Sequence, residues 1–265
     1  MTKPFVAVVT GASSGIGQAI AIEFARRGAS LILNCRRNLQ GLQATIDRIL
    51  DLAGPKQDLL GVVSNIDDAH SNRAFVEAAF ERHGRVDVWV HAAGADVLTG
   101  VARELSFSEK LANLWATDVQ GTFVLSRMVA VKMIAQTKIE ERLPSMVHIG
   151  WDQAEQGMEG DSGQFFSATK AAIAAFSKSL AKSVAPHVRV NCIAPGWIQT
   201  EWGQQASSTW QQRAISESML GRWGTPQDIA SVVAAISFGD GAFLNGQTIA
   251  VNGGWQGCKK DAWQK

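Results

Sequence analysis

The lysine in the segment GQFFSATK, residues 163–170, is the first side chain whose type and spacing suggest chemistry. Lys170 lies four residues after Phe166, so on a helix the two side chains share one face. A lysine held beside a phenol is a common arrangement for proton transfer, but this ring is a phenyl and the chain contains no Tyr. The spacing therefore predicts a lysine beside an aromatic ring that cannot donate a proton.

A second group of side chains that could transfer protons lies in WDQAEQGMEGDSG, residues 151–163, directly after a predicted strand. The carboxyl ends of strands are where α/β sheets place their ligands. Asp152 is our candidate for a replacement acid or base, because a carboxyl buried beside an indole can hold a proton near neutral pH. The simpler interpretation is a solvated acidic loop. The acids of the loop are Asp152, Glu155, Glu159 and Asp161.

Two histidines, His91 and His148, also lie near strand ends. We interpret them as polar residues whose hydrogen bonds are satisfied inside the sheet.

A glycine-rich segment, TGASSGIG at residues 10–17, stands between the first predicted strand and the first predicted helix. Glycines there allow a tight turn and a close approach of the backbone to a phosphate, and the start of the helix offers free N–H groups. This context favours dinucleotide binding over an ordinary glycine-rich turn. The residues predicted to hold the pyrophosphate are Gly11, Ser13, Ser14, Gly15, Ile16 and Gly17.

The end of the second predicted strand distinguishes between the two nicotinamide dinucleotides. An Asp or Glu at this position would hold the ribose hydroxyls of NAD. The chain has NCRRN here, with Cys35 in place of the acid, followed by Arg36 and Arg37. Since a guanidinium can grip a 2′-phosphate through paired hydrogen bonds, we predict that Arg36 selects NADP(H) over NAD(H). The alternative is a pair of solvated arginines at the start of a helix.

Strands and helices alternate along the chain in the order needed to bring these segments together. Unbroken apolar strands between helices indicate a parallel sheet with helices on both faces, that is, an α/β doubly wound fold. The predicted strands are 5–9, 30–35, 58–66, 87–94, 145–150, 188–196 and 246–254. The predicted helical regions are 17–27, 38–54, 67–84, 105–138, 162–185, 201–220 and 225–238, with 201–220 as an excursion from the sheet.

The composition limits the partners that the protein can have. The chain has 265 residues and 46% apolar content, which fits a single domain over residues 1–265. Its net charge of +1 offers no basic surface for nucleic acid or an anionic membrane. No apolar stretch is long enough for a membrane span or a secretory signal. The cysteines Cys35, Cys192 and Cys258 follow no metal-ligand spacing, so we expect inert thiols, no metal site and a cytoplasmic location.

Several of these motifs, with others further along the chain, resemble the short-chain dehydrogenase/reductase family. The likeness covers TGASSGIG, the SATK segment, APG at 194–196, RWGTPQDIA and the final NGQTIAVNGG, in the family's order and spacing. The resemblance implies a Rossmann-like sheet of seven mostly parallel strands in a homodimer or homotetramer. It also implies a further set of residues in contact with the dinucleotide. These are Asn65, Ile66, Ala92, Ala93, Gly94, Lys170, Pro195, Gly196, Ile198 and Thr200.

The family's catalytic residues, Asn, Ser, Tyr and Lys, are mostly replaced in this chain. Lys170 matches the family's Lys, and Asp118 stands at the Asn position. Phe166 replaces the Tyr, and Trp151 replaces the Ser. Phe cannot donate a proton and an indole has only one N–H, so the resemblance implies an atypical member with a degenerate tetrad, in which Lys170 binds the nicotinamide ribose. We expect Asp118 to pair with this lysine; the alternatives are a helix cap or a carboxylate that faces water.

Large aromatic side chains fall in the segments that should wall a substrate cleft. Their faces suit a flat aromatic or glycan-like ligand, or they simply fill and close the cleft. Of the nine Trp, four belong to this wall, and two more are expected at a subunit interface or in the core. The four are Trp151, Trp197, Trp202 and Trp210, and the two are Trp223 and Trp255.

Two functions compete on these grounds. The first is an NADP(H)-dependent oxidoreductase that moves a hydride to or from a small or medium-sized carbonyl or alcohol, aromatic by conjecture. Its non-standard proton-transfer site would consist of Lys170, Asp118 and Asp152. The second is a nucleotide-binding pseudoenzyme that acts as a sensor, scaffold or partner subunit. A third hypothesis is lyase or isomerase chemistry by the acidic loop.

Overall fold

Seven strands form one parallel sheet in the computed structural model, which describes residues 4–136, 143–239 and 241–255. They are β1 (Val6–Thr10), β2 (Ser30–Cys35), β3 (Leu59–Val63), β4 (Val88–His91), β5 (Ser145–Ile149), β6 (Arg189–Pro195) and β7 (Thr248–Val251). Their order is β3-β2-β1-β4-β5-β6-β7, so the chain runs outward from β1 on one side and from β4 on the other. The predicted Rossmann-like α/β fold is confirmed.

Helices cover both faces of this sheet. They are α1 (Gly15–Arg26), α2 (Leu39–Ala53), α3 (Ala69–His83), α4 (Phe107–Leu114), α5 (Thr122–Ala135), α6 (Gly160–Val184), α7 (Glu201–Gln205), α8 (Ser208–Glu217) and α9 (Pro226–Ser237). A short 3₁₀ helix (Gly100–Glu104) precedes α4, and a π-helical segment (Trp115–Gly121) joins α4 to α5. The stretch 201–220 holds the two short helices α7 and α8.

The sheet separates two apolar cores, because consecutive residues of a strand point to opposite faces. Val9 of β1 lies in a buried cluster with Phe24 of α1, on the face that α1, α2 and α9 cover. Val8, its neighbour, lies in a second cluster with Trp89 of β4 and Leu125 of α5, on the face covered by α3, α5 and α6. With both faces closed, a ligand has access to the sheet only at the ends of its strands.

The carboxyl ends of β1 and β4 lie at the point where the strand order reverses, which is where doubly wound sheets bind ligands. The Thr10 hydroxyl accepts hydrogen bonds from the N–H groups of Ala92 and Ala93, at 3.1 Å each. Gly11 follows with a φ of 66°, and a Cβ at this position would come within 2.7 Å of the Cα of Ala93. Glycine is therefore required where the turn after β1 touches the turn after β4.

The long helical region predicted over 105–138 is interrupted in the structure. Between α4 and α5 the helix widens into the π-helical segment that contains Asp118, and residues 137–138 lie outside the described residues. Gly121 ends this segment so close to the loop after β3 that a Cβ there would come within 2.7 Å of the Ile66 carbonyl oxygen. Apolar periodicity does not record a widened turn, and such turns often occur at functional sites.

Some of the remaining expectations concern what the chain does not contain. Within the described ranges, no helix is long and apolar enough to cross a membrane, and no group of three metal-ligating side chains is present. Cys35 and Cys192 are buried free thiols, whereas Cys258 lies outside the described residues.

Candidate active site

A cavity of about 750 Å³ opens along the carboxyl ends of β1, β2, β4, β5 and β6. Every residue that the sequence predicted to contact a dinucleotide lines it. These residues are Gly11, Ser13, Ser14, Gly15, Ile16, Gly17, Arg36, Asn65, Ile66, Ala92, Ala93, Gly94, Lys170, Pro195, Gly196, Ile198 and Thr200. The structure thus brings together segments that are far apart in the chain.

The glycine turn forms one end of this cavity and leads directly into α1. A Cβ on Gly17 would come within 2.2 Å of the Gly11 carbonyl oxygen, so the backbone of the turn packs against itself with no room for a side chain. Ser14 is the N-cap residue, but its side chain makes no capping hydrogen bond, and the first turn of α1 contains no acid. The positive end of the helix is therefore not neutralised by the protein, which suits an anion.

Two arginines line the cavity beyond the glycine turn, where β2 ends. Cys35 is buried in the last position of the strand, and burial raises the pKa of its thiol. Arg36 and Arg37 follow it, are exposed, and line the cavity. The nearest acid to Arg36 is Asp67, with 3.9 Å between Nη1 and Oδ2. So loose an exposed ion pair is weak, and the guanidinium can turn to another anion.

Lys170 and Asp118 form the ion pair that was predicted, in the middle of the cavity. Lys170 Nζ lies 2.8 Å from Asp118 Oδ2, and the two side chains are 15% and 3% exposed. The other oxygen, Asp118 Oδ1, accepts the N–H of Ala95 at 2.7 Å, and Lys170 Nζ also donates to the Ile149 carbonyl oxygen at 3.5 Å. The π-helical segment turns the carboxylate toward α6, so the alternatives of a helix cap and a solvated carboxylate were wrong.

Aromatic side chains occupy the positions beside this pair. Phe166 and Trp151 both line the cavity, with their rings edge to face and their centroids 6.4 Å apart. Ser162 also lines the cavity and lies on the same face of α6 as Phe166 and Lys170, one turn earlier. Ser167 is not among the described lining residues, and its hydroxyl is buried without a hydrogen-bond partner. The phenyl ring itself offers no proton to a ligand.

Asp152 belongs to the loop that follows β5, directly after Trp151. Its Oδ2 accepts a hydrogen bond from Asn252 Nδ2 at 2.9 Å, and its side chain is absent from the described cavity lining. Burial raises the pKa of this carboxyl to about 6. The proton affinity expected of a catalytic acid is therefore present, but the carboxyl points toward the end of β7. The other acids of this segment, Glu155, Glu159 and Asp161, are exposed.

The two histidines lie inside the protein between the sheet and its helices. His91 Nε2 and His148 Nε2 both contact the Ser126 hydroxyl, at 3.1 and 2.8 Å, and their rings stack with centroids 4.8 Å apart. His148 Nδ1 contacts Ser177 at 2.9 Å. Burial lowers the pKa of both imidazoles, that of His148 to about 3. The interpretation of these residues as satisfied polar groups holds, although His91 Nδ1 has no partner among the described residues.

Three tryptophans form a second aromatic group in the cavity. Trp197, Trp202 and Trp210 all line it, and their ring centroids lie 5.6–6.2 Å apart. We call these three residues the tryptophan wall. Trp223 is 7% exposed and touches Trp197 and Trp202 from the core, whereas Trp255 is 40% exposed.

The sequence analysis missed the ionic network that holds this wall. Glu217 accepts the indole N–H of Trp197 at 2.8 Å and the Nε–H of Arg213 at 2.8 Å. Arg213 also binds Glu159, which joins the loop after β5 to α8. The only available signal was the i, i+4 spacing of Arg213 and Glu217 on a predicted helix.

The chain matches known proteins over nearly its full length. Residues 11–256 match the family model described as enoyl-(acyl carrier protein) reductase. The 3-oxoacyl-[acyl-carrier-protein] reductase FabG of Escherichia coli strain K12 is 33% identical over 251 residues, covering 94% of this chain and 96% of that protein. FabG of Thermotoga maritima is 30% identical over 255 residues, with coverages of 94% and 96%.

Solved structures agree with the sequence comparison. The 3-oxoacyl-[acyl-carrier protein] reductase of Brucella melitensis in complex with NAD superposes with a TM-score of 0.83 at 25% identity, over 96% of this chain and 97% of that one. A short-chain dehydrogenase/reductase of the same organism, described as a glucose/ribitol dehydrogenase, gives a TM-score of 0.80 at 29% identity, with coverages of 96% and 98%. The chain belongs to the short-chain dehydrogenase/reductase family.

Proposed function

We propose that this protein is an NADP(H)-binding oxidoreductase that moves a hydride to or from a small or medium-sized carbonyl or alcohol. The observation that carries the proposal is a single cavity that connects the glycine turn of residues 11–17 to Lys170. Two features fit a dinucleotide. The backbone at Gly17 has no space for a side chain, and Asn65 Oδ1 is buried at the cavity without a hydrogen-bond partner among the described residues.

The cofactor would be held along the row of strand ends. The turn of residues 11–17 would hold the pyrophosphate against the start of α1. Arg36 would hold the 2′-phosphate, since its guanidinium is committed to no close partner. Asn65 would offer its side-chain oxygen to the nucleotide, and the residues after β6, from Pro195 to Thr200, would flank the nicotinamide.

Lys170 would orient the reacting end. When bound, the nicotinamide ring supplies or accepts the hydride. The Lys170 ammonium has three N–H donors; one points to Asp118 at 2.8 Å, and the contact with Ile149 is long at 3.5 Å. This leaves at least one donor for the ribose hydroxyls or for the substrate oxygen.

We propose that proton transfer follows a non-standard route, because the family resemblance aligns Phe166 and Trp151 with the Tyr and the Ser. Reduction of a carbonyl needs a proton at its oxygen, and an ammonium is a far stronger acid than the Ser162 hydroxyl beside it. We propose that Lys170 gives this proton and regains one from solvent. Asp152 could serve only after its carboxyl leaves Asn252 and turns toward the cavity. A positioned general acid contributes about 10²–10⁴ in rate. Phe166 supplies none, and the Lys170 ammonium is already held by Asp118, so slow turnover is expected.

A nucleotide-binding pseudoenzyme is the second candidate, and one observation favours it. Phe166 and Trp151, which the family resemblance aligns with the Tyr and the Ser, line the cavity, and the carboxyl of Asp152 is bound to Asn252. In this case the protein would bind NADP(H) without hydride transfer and act as a sensor, scaffold or partner subunit.

Calorimetric titration with NADPH and with NADH tests the cofactor. We expect NADPH to bind at least about tenfold more tightly, because a hydrogen bond to a charged group contributes roughly 1.5–3 kcal/mol. Arg36→Ala should lower the affinity for NADPH until it is close to that for NADH. Arg73→Ala, which removes an exposed arginine of α3 that does not line the cavity, should change neither. Equal or tighter binding of NADH to the unmodified protein would defeat the argument from Arg36.

Restoring the missing hydroxyls separates the two candidates. A panel of carbonyl compounds is screened for NADPH oxidation with the unmodified protein and with Phe166→Tyr combined with Trp151→Ser. Slow turnover by the unmodified protein supports the oxidoreductase, and the double variant should then be at least about 100-fold faster. Activity in the double variant alone favours the pseudoenzyme, and no gain at all contradicts the assignment of these two positions. Phe107→Tyr, outside the cavity, is the control.

We also propose that the chain works as one cytoplasmic domain in a homodimer or homotetramer. Val131 and Ile134 of α5 support assembly, since they share a helical face and are 68% and 39% exposed. Light scattering on the purified protein tests this proposal, and a monomer at micromolar concentration would contradict it.

A further inference from the structure

Two separate aromatic groups line the cavity beyond Lys170. One is the pair of Phe166 and Trp151, which comes from α6 and the end of β5. The other is the tryptophan wall, which follows β6 and continues into α7 and α8. Within each group the ring centroids lie 5.6–6.4 Å apart. No ring contact connects the two groups in the part of the chain that the structure describes, although both line the same cavity.

The tryptophan wall is held in place from behind, by groups that do not line the cavity. Glu217 fixes the indole N–H of Trp197 at 2.8 Å. The Arg213 guanidinium lies 5.1 Å from the ring centroid of Trp210 and 6.0 Å from that of Trp197. Trp223 supports the wall from the core. A wall that is already ordered loses little conformational freedom when a ligand binds, which favours affinity.

The charges around this part of the cavity select among aromatic ligands. Glu201 and Asp96 line it as acids, and Lys170 is already paired with Asp118. An aromatic carboxylate or phosphate would therefore meet repulsion here, because the other cations of the cavity, Arg36 and Arg37, follow β2 at its nucleotide end. An aromatic cation would be attracted by these acids, but at the wall itself it would be repelled by Arg213, whose guanidinium already interacts with the π-systems. A neutral ligand meets neither obstacle.

We infer that the substrate carries a neutral, planar aromatic ring, which inserts between the tryptophan wall and the pair of Phe166 and Trp151. The carbonyl or alcohol group on this ring would then face Lys170. The reacting group rests on the proposed function, whereas binding of the ring rests on the two aromatic groups alone. Flat indole and phenyl surfaces favour such a ring over a saturated ring of the same size, because stacking adds to the burial of apolar area.

The test uses 2-acetylnaphthalene as the probe, titrated by calorimetry into protein saturated with NADP⁺, so that no reduction occurs. The saturated counterpart 2-acetyldecalin and the carboxylated counterpart 6-acetyl-2-naphthoate are titrated in parallel. We expect the naphthyl ketone to bind at least about tenfold more tightly than either one. Equal affinity for the naphthyl and decalin ketones, or tighter binding of the naphthoate, overturns the inference.

Variants locate the site. Trp202→Leu and Trp210→Leu should each weaken binding of the naphthyl ketone at least about tenfold and binding of the decalin ketone less than threefold. Trp202→Phe should keep most of the affinity for the naphthyl ketone. Trp115→Leu removes an exposed tryptophan outside the cavity and should change nothing. If both leucine variants bind the naphthyl ketone as tightly as the unmodified protein does, the inference is overturned. This holds even when the unmodified protein binds that ketone more tightly than the decalin ketone.

The same titrations distinguish this inference from the proposed function. NADP⁺ affinity is measured in every variant, and its retention shows that the variant is folded. If NADP⁺ does not bind to the unmodified protein, the proposed function fails, and the ketone titrations without nucleotide still decide whether the ring site exists. If NADP⁺ binds and the two ketones bind equally, only the inference about the ring fails.

Discussion

The ion pair in the middle of the cavity supports a prediction about stability that requires no knowledge of the substrate. Lys170→Met preserves most of the side-chain volume but removes the ammonium. The Asp118 carboxylate, 3% exposed, then keeps only the Ala95 N–H as a hydrogen-bond donor, at 2.7 Å. Removing one partner of a buried ion pair costs about 3–5 kcal/mol. Since the Lys170 side chain is 15% exposed and one hydrogen bond remains, we expect the unfolding free energy to fall by about 3 kcal/mol.

The second variant completes a thermodynamic cycle. Asp118→Asn keeps an oxygen for the Ala95 N–H but leaves the ammonium without its carboxylate, and we expect a loss of about 2 kcal/mol. In the double variant neither side chain is charged, so no buried charge is left without a partner. Its loss should be smaller than the two single losses together by about 2 kcal/mol, within the range measured for contacting residues.

Urea unfolding followed by tryptophan fluorescence measures these free energies, at one fixed protomer concentration because assembly contributes to stability. Lys178→Met, an exposed lysine on the same helix, is the matched control and should change the unfolding free energy by less than about 0.5 kcal/mol. If the two single losses add to within about 0.5 kcal/mol of the double loss, the two side chains do not interact and the reasoning is refuted.

Three further predictions concern titration and packing. Burial raises the pKa of Asp152 to about 6, above its unfolded value, so the unfolding free energy falls as pH rises from about 4 to 6. Thermal melts should therefore show that Asp152→Asn raises the unfolding free energy by about 1–2 kcal/mol at pH 7.5 and leaves it unchanged at pH 4. Equal increases at the two pH values would contradict this. His91 and His148, whose pKa values burial lowers, should show no titration between pH 5 and 8 in NMR spectra. Gly17→Ala would place a Cβ 2.2 Å from the Gly11 oxygen, and calorimetry should show a loss of about 3 kcal/mol or more.

The strands and the nucleotide end of the cavity were accessible from the sequence, because local patterns determine them. The run SLILNC at 30–35 is mostly apolar, lies between Gly28 and two arginines, and coincides with β2. The glycine turn at 11–17 was recognisable because only a residue without a side chain fits so close to the backbone of Ala93. Such constraints depend on neighbours in the chain or on the backbone itself.

The catalytic end was harder to predict, because it depends on contacts between distant segments. The pair of Lys170 and Asp118 joins residues 52 positions apart and was foreseen only through the family resemblance. The direction of the Asp152 side chain depends on Asn252, 100 positions away, and no local pattern reveals that contact. The widened turn around Asp118 is likewise invisible to periodicity, because a single extra residue leaves the apolar pattern on either side almost unchanged.

The bridge from Arg213 to Glu159 bears on how molecules enter and leave the cleft. It ties the loop after β5 to α8, and its carboxylate is 74% exposed, so dissolved ions screen the attraction, which weakens as ionic strength rises. For α8 to swing outward, this bridge and the hydrogen bond from Trp197 to Glu217 must break, whereas the bond between Arg213 and Glu217 lies within α8 and travels with it. We therefore expect ligand exchange to accelerate in concentrated electrolyte even where the equilibrium affinity for an uncharged ligand stays the same.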